Sequence, residues 1–320
     1  MSDHMNYDAD DLSGVVAFGA AHSLRFNEDD SIIIARALDY VKTQTYDRKL
    51  PPLRGLELFP VSNDTPAWAE TIVYRAYDMV GVAKIIANYA DDLPRADVKG
   101  TEKTVPVRTI GDSYGYNVQE LTVSAAMGTN LPSRKATAAR QAIEVKINQI
   151  AMVGDPLYGL QGGATHPNIG TTTGITGDWN GAATAEQIVA DVNILYQAVR
   201  IQSKGVHTPN RFVLPMTALA AAQRKTVAGS GGKSAYTVIR EQFPNLQLVD
   251  MIELEAGGVT TDSLALMGEF NEMNASFEMV MDFTQLPAQA RNLELVVPCY
   301  ARAGGVSVHY PLAFTKATDI

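Results

Sequence analysis

From residue 136 onward, apolar side chains return every three or four positions. Ala136, Ala139, Ile143, Ile147 and Ile150 draw one stripe over about six turns and predict a long helix. Thr129 or Asn130 can cap it, Pro132 suits its first turn, and Gly154 is a natural stop. A second stripe, Ile188, Val192, Leu195 and Val199, follows a Thr184–Gln187 capping-box pair and closes at Lys204-Gly205. Elsewhere the period shortens. Residues 67–87 and 103–124 are rich in Val, Ile, Tyr and Thr with partial alternation, and predict two long strands around the polar stretch 88–102. Such a hairpin arm exposes ladder edges and side-chain faces that another surface must cover.

Beyond the second helix, RFVLP (211–215), LQLVDMIEL (246–254), DSLALMGEF (262–270) and ASFEMVMDF (275–283) read as strands. MTALAAAQRKTV (216–227) and SAYTVIREQF (234–243) read as helices, so 180–285 is expected to form a compact α+β domain. Residues 292–318 return as a long strand-rich segment broken by Gly304-Gly305. At the other end, 26–45 predicts a helix capped by Asn27, with Ile34, Leu38 and Val41 on one face. It lies between an acidic head and a proline-bearing stretch, 47–60, that favours an extended path. A short helix with extended flanks cannot bury its own stripe and needs a neighbour.

With 46% hydrophobic and 19% charged residues, the 320-residue chain has the balance of a folded protein with a sizeable core. Its net charge of -9 argues against a general nucleic-acid binder, and its densest basic cluster, RKATAAR (134–140), is thinned by alanine. One cysteine, Cys299, sits in an apolar run and reads as a buried structural thiol; a single thiol forms neither an internal disulfide framework nor a Cys-rich zinc site. The acidic start lacks a signal-peptide pattern, and no stretch reaches the ~18 apolar residues of a membrane span. A soluble protein made in a reducing cytoplasm is expected.

Candidate chemistry thins on inspection. Gly232-Lys233-Ser234 ends like a phosphate-binding loop, but that motif needs glycine at position 227, where Val227 stands, and a strand before it rather than a helix. His4, His22, His166, His207 and His309 share no metal-ligand spacing. The stretch GDPLYGLQGG (154–163) lacks the Gly-x-Gly-x-x-Gly order and the downstream helix of a dinucleotide site. Its glycines let the backbone reverse, with Leu157, Tyr158 and Leu160 expected to tuck against the preceding helix. No catalytic, cofactor or metal residue is predicted. Tyr74, Tyr77, Tyr114 and Tyr116 of the arm lack nearby Lys/Arg enrichment and are expected to cover a protein surface. With Ile34, Leu38 and Val41 they form the candidate assembly interface.

An extended leader, a long hairpin, a long helix ending in a glycine turn, an α+β insert and a final strand return make an informative order. The segments 71–98, 114–121, 139–169 and 301–313 carry a resemblance to tailed-bacteriophage major capsid proteins of the HK97-type fold, in the branch near encapsulin shell proteins. The resemblance implies an α+β fold with an N-terminal arm (1–60), an extended loop with flanking strands (61–128) and a peripheral domain with a spine helix (129–180). It further implies an axial domain (181–287) and a return to the peripheral domain (288–320). It also implies hexamers and pentamers closing into an icosahedral shell around double-stranded DNA held without sequence-specific binding. Portal, scaffolding or decoration proteins would be further partners, and the virion the destination after assembly in the host cytoplasm. Some family members cross-link through a loop lysine. Lys99 and Lys103 lie near the arm's tip, but no acceptor motif accompanies them, and no cross-link is predicted. An encapsulin-type compartment loading a protein cargo shares the fold and stays open at this point, as does a soluble enzyme with a scattered site.

Overall fold

The computed structural model describes residues 52–80, 97–117, 119–120, 131–257, 260, 262–292 and 294–320. Its strands are β1 (Val61–Ser62), β2 (Thr71–Val80), β3 (Asp97–Pro106), β4 (Arg108–Asn117), β5 (Gly154–Asp155), β6 (Leu160–Gln161) and β7 (Arg211–Pro215). There follow β8 (Gln247–Met251), β9 (Leu264–Gly268), β10 (Ala275–Gln285), β11 (Gln289–Arg291), β12 (Glu294–Val308) and β13 (Phe314–Thr318). The helices are α1 (Gly55–Leu58), α2 (Leu131–Met152), α3 (Ala185–Gln202), α4 (Met216–Arg224) and α5 (Ala235–Gln242). The predicted leader helix with Ile34, Leu38 and Val41 lies outside the described residues.

β12 is the central strand of a seven-stranded sheet ordered β1-β10-β12-β6-β5, with β11 and β4 also paired to β12. β10 and β11 line one edge of β12, and β4 lines the other from Glu294↔Asn117 to Ala303↔Arg108. Parallel β6 then takes over at Gly305↔Gln161. Contrary to the expectation from sequence, Gly304-Gly305 therefore does not break the strand; it marks the point where partners change. Gly305 adopts φ +80°, and a Cβ there would sit 2.7 Å from Gln161 O, so only glycine lets β6 approach.

α2 packs on this sheet with its predicted stripe inward: Ala139, Ile143, Ile147 and Ile150 are buried beside Phe277, Ala301 and Val306. A four-stranded sheet, β13-β9-β7-β8, lies next to that core. Strand alternation divides its side chains between two clusters. Val213, Leu266 and Phe314 point into the α2 core, while Phe212, Leu214, Ala265, Met267 and Ala317 meet α3, α4 and α5. One thin sheet is thus buried on both faces. The capping box of α3 forms as predicted: Gln187 N donates to Thr184 Oγ1, and Thr184 N donates to Gln187 Oε1 at 2.7 Å.

Two strands join sheets that their sequence neighbours do not suggest. β10, expected within the insert, pairs with β12, and β13, expected in the return, pairs with β9 in the smaller sheet. The arm also differs from its prediction. β2 pairs with β3 from Thr71↔Pro106 to Val80↔Asp97, drawing its partner from residues read as a polar tip. The 103–124 stretch divides at buried Val107, and β4 joins the body sheet. Alternation announces a strand but not its mate, and β4 finds ten partners along β12.

Candidate assembly surface

GDPLYGLQGG forms a tight reversal. Gly154 and Gly159 take left-handed φ of 74° and 75°, and β5 pairs with β6 around a 3-10 turn over Pro156–Tyr158. Leu160 is buried as expected, but Leu157 is 84% exposed and Tyr158 is half-exposed, contrary to the expected tuck. The turn is too short to fold them back, and Arg108 Nε holds the Tyr158 carbonyl at 3.1 Å. Nothing here cradles a phosphate. In the other glycine-rich loop, Lys233 ion-pairs with Glu241 and Ser234 caps α5 by accepting from Thr237 N.

His4 and His22 lie outside the described residues, and the other three histidines have structural partners. Asn168 N donates to His166 Nδ1 at 3.2 Å, and burial, with Lys103 and Lys316 adding to it, pushes the imidazole pKa down to about 4. His207 Nδ1 meets Glu269 at 2.8 Å. Ser276, His309 and buried Glu278 form a trio in which Ser276 Oγ donates to Glu278 Oε1 at 2.8 Å and lies 3.3 Å from His309 Nε2. The carboxylate holds the serine rather than orienting the imidazole, the reverse of a nucleophilic relay. Among the described residues, no group of three or more His, Cys, Asp or Glu could hold a metal ion. Cys299 is buried, and that burial raises its thiol pKa.

The tyrosines separate into two settings. Tyr74 turns inward at the root of the ribbon, donating to Val308 O at 3.2 Å and standing edge-on to His309. Tyr77 opposes Gly100 across the ladder. Tyr114 and Tyr116 come together on β4, rings 5.5 Å apart and partly buried against the α2 core. Lys135 Nζ sits 5.5 Å over Tyr116, whose pKa burial and its bond with Tyr114 push up to about 12. Tyr74, Tyr114 and Tyr116 thus contact their own chain.

Among the described residues, other apolar groups face outward. Alternation on β2 leaves Val73 exposed between Thr71 and Arg75, while Ile72 and Tyr74 are partly buried. Just before it, Trp68 is 81% exposed. Sequence reasoning passed over Trp68, although the preceding Asp64-Thr65-Pro66 marks a turn that could present it.

The family model described as "Major capsid protein" matches residues 81–320. A comparison with curated proteins finds no match. Among solved structures, the chain resembles "The capsid of Myoviridae Phage XM1" at TM-score 0.76 and 18% identity, covering 89% of this chain and 98% of that one. It resembles a structure titled "Mycobacterium phage Ogopogo" at TM-score 0.61 and 13% identity, over 90% and 98%. A third, "Capsid of native GTA particle computed with C5 symmetry", gives TM-score 0.64 and 12% identity, over 92% and 99%. At such identities the likeness is one of fold, and it is the HK97-type α+β architecture the sequence led us to expect. Since the family model spans 240 of the 320 residues, the chain belongs to the major capsid protein family.

Proposed function

We propose that the chain assembles as hexamers and pentamers into a closed icosahedral shell around double-stranded DNA. The observation that carries this reading, beyond family membership, is the surface itself. A two-stranded ribbon is marginal in water alone, and Val73 on it, Trp68 just before it and Leu157 in the β5–β6 turn have most of their side chains exposed. A virion subunit covers such groups with its sisters. A standard interface removes about 800 Å² from each partner, and contacts between unlike patches propagate until a rotation closes them.

In this reading 1–60 is an arm laid on a neighbour, 61–128 the extended loop, 129–180 and 288–320 the peripheral domain, and 181–287 the axial domain. Ile34, Leu38, Val41, Tyr74, Tyr77, Tyr114 and Tyr116 belong to its contact regions, the last two by stiffening β4 from within. The net charge of -9 suits a wall that encloses DNA without gripping it. The role is structural rather than enzymatic, assembly takes place in the bacterial cytoplasm, and portal, scaffolding or decoration proteins complete the particle. A cargo-loading compartment has less support, because the matching family is that of capsid proteins.

Negative-stain imaging with sedimentation velocity tests the reading. Closed shells, or rings of five and six, are expected from the purified chain. A compact monomer at high concentration would overturn it.

A further inference from the structure

We propose that Trp68 is the knob of a contact between two copies of this chain. Its socket is the groove on the neighbouring copy formed by Ala136, Thr137 and Arg140 of α2 with Phe283 and Gln285 of β10. The inference rests on the shell reading and deepens it by naming a pair of surfaces.

The knob is built to stay out. The other tryptophan, Trp179, is fully buried, whereas Trp68 is 81% exposed. Its backbone is nevertheless fixed. Arg302 Nη1 donates to Ala67 O and Nη2 to Ala69 O, and Ala69 N donates to Pro66 O at 3.0 Å. Val107 N donates to Glu70 O at 2.9 Å, and Ala69 is buried. A large aromatic on a rigid turn loses little entropy when it docks, which is the profile of an interface anchor. Exposed Asp64 and Glu70 give the turn an acidic rim.

The socket answers both features. Arg140 lies 6.0 Å over the ring of Phe283, its guanidinium exposed and paired at the surface with Glu144. An indole fits this site as a further stacked layer, because tryptophan gives the strongest cation–π partner, and the acidic rim then faces the arginine. Other grooves among the described residues fit less well. The one containing Gln149, Pro156 and Leu264 carries Asp155 and Asp262, which repel the rim. The one around Gly115 and Lys135 mixes Glu120 and Glu294 with its cations, and these carboxylates repel the rim. Knob and socket sit on different elements, so the contact is head-to-tail and suited to a ring.

Two single-cysteine variants, Ala67→Cys and Thr137→Cys, flank the pairing while keeping Trp68 and Arg140. Native Cys299 is buried and stays silent. Shells co-assembled from both variants and oxidised are expected to give a cross-linked dimer on a non-reducing gel, and shells of either variant alone are not. Trp68→Ala is expected to lower shell yield at least tenfold while leaving the thermal unfolding of the free subunit unchanged. Co-assembled shells without the cross-link, or wild-type yield from Trp68→Ala, would overturn the pairing and leave the shell reading intact. A wild-type chain that forms no multimer would overturn both.

Discussion

At Gly154 the backbone has φ +74°, and a Cβ there would lie 2.5 Å from both Gly162 N and Leu160 O. Both obstacles are main chain, so no side chain can move aside. Gly154→Ala is expected to cost about 3 kcal/mol or more. Gly205→Ala, at φ +83° with nothing within 4 Å, should cost only about 1–2 kcal/mol, the conformational penalty alone. Urea midpoints of the two variants measure the difference, and equal costs would mean that the β5–β6 reversal relaxes. His166 carries a second residue-scale expectation. Its folded pKa, about 4, lies below the ordinary value of 6.5, so the unfolded chain binds the extra proton first as pH falls. The neutral imidazole is at no disadvantage above pH 6.5; stability is lost between about 6.5 and 4, by up to about 3 kcal/mol. His166→Asn should flatten that part of the urea-midpoint profile. An unchanged slope would place the titration elsewhere.

The longer helices were legible because what defines them is local, whereas the single turn of α1 falls in a stretch, 47–60, read as extended. The α2 stripe and the α3 capping box occupy residues three and four apart, and both form as read. Ile147→Ala, which empties a buried position, should cost about 2–5 kcal/mol, whereas Val145→Ala on the exposed side should stay within about 0.5 kcal/mol. Comparable costs in thermal melts would contradict the packing of α2. Strand partners were less legible. β2 and β4 both carry Thr, Ile and paired Tyr residues, yet one enters a ribbon and the other the body sheet. Pairing depends on edges supplied by residues far along the chain, such as β12, and alternation carries no record of them. Of the candidate interface, Tyr74, Tyr114 and Tyr116 were visible as aromatics but not as groups that touch their own chain. Tyr74 faces in because Val308 and His309 lie beneath it, more than 230 residues later. Trp68 faces out because Arg302 fixes its turn, which no local pattern announces.

For the molecule as a whole, charge and core set the expectations. With a net charge of -9, purified subunits should leave duplex DNA unretarded in a gel-shift assay at physiological salt, since few counterions would be released. Micromolar retention would reveal a concentrated basic face and remove the proposed reason why the wall releases its contents. The smaller sheet has a mechanical consequence. Val213 and Leu266 are wedged on one side of it, and Phe212, Leu214 and Met267 on the other, so neither lobe can slide without tearing a close-packed layer. A particle swelling under the outward push of condensed polymer must therefore yield at its seams and ribbons, while each subunit's midsection travels as an undeformed block.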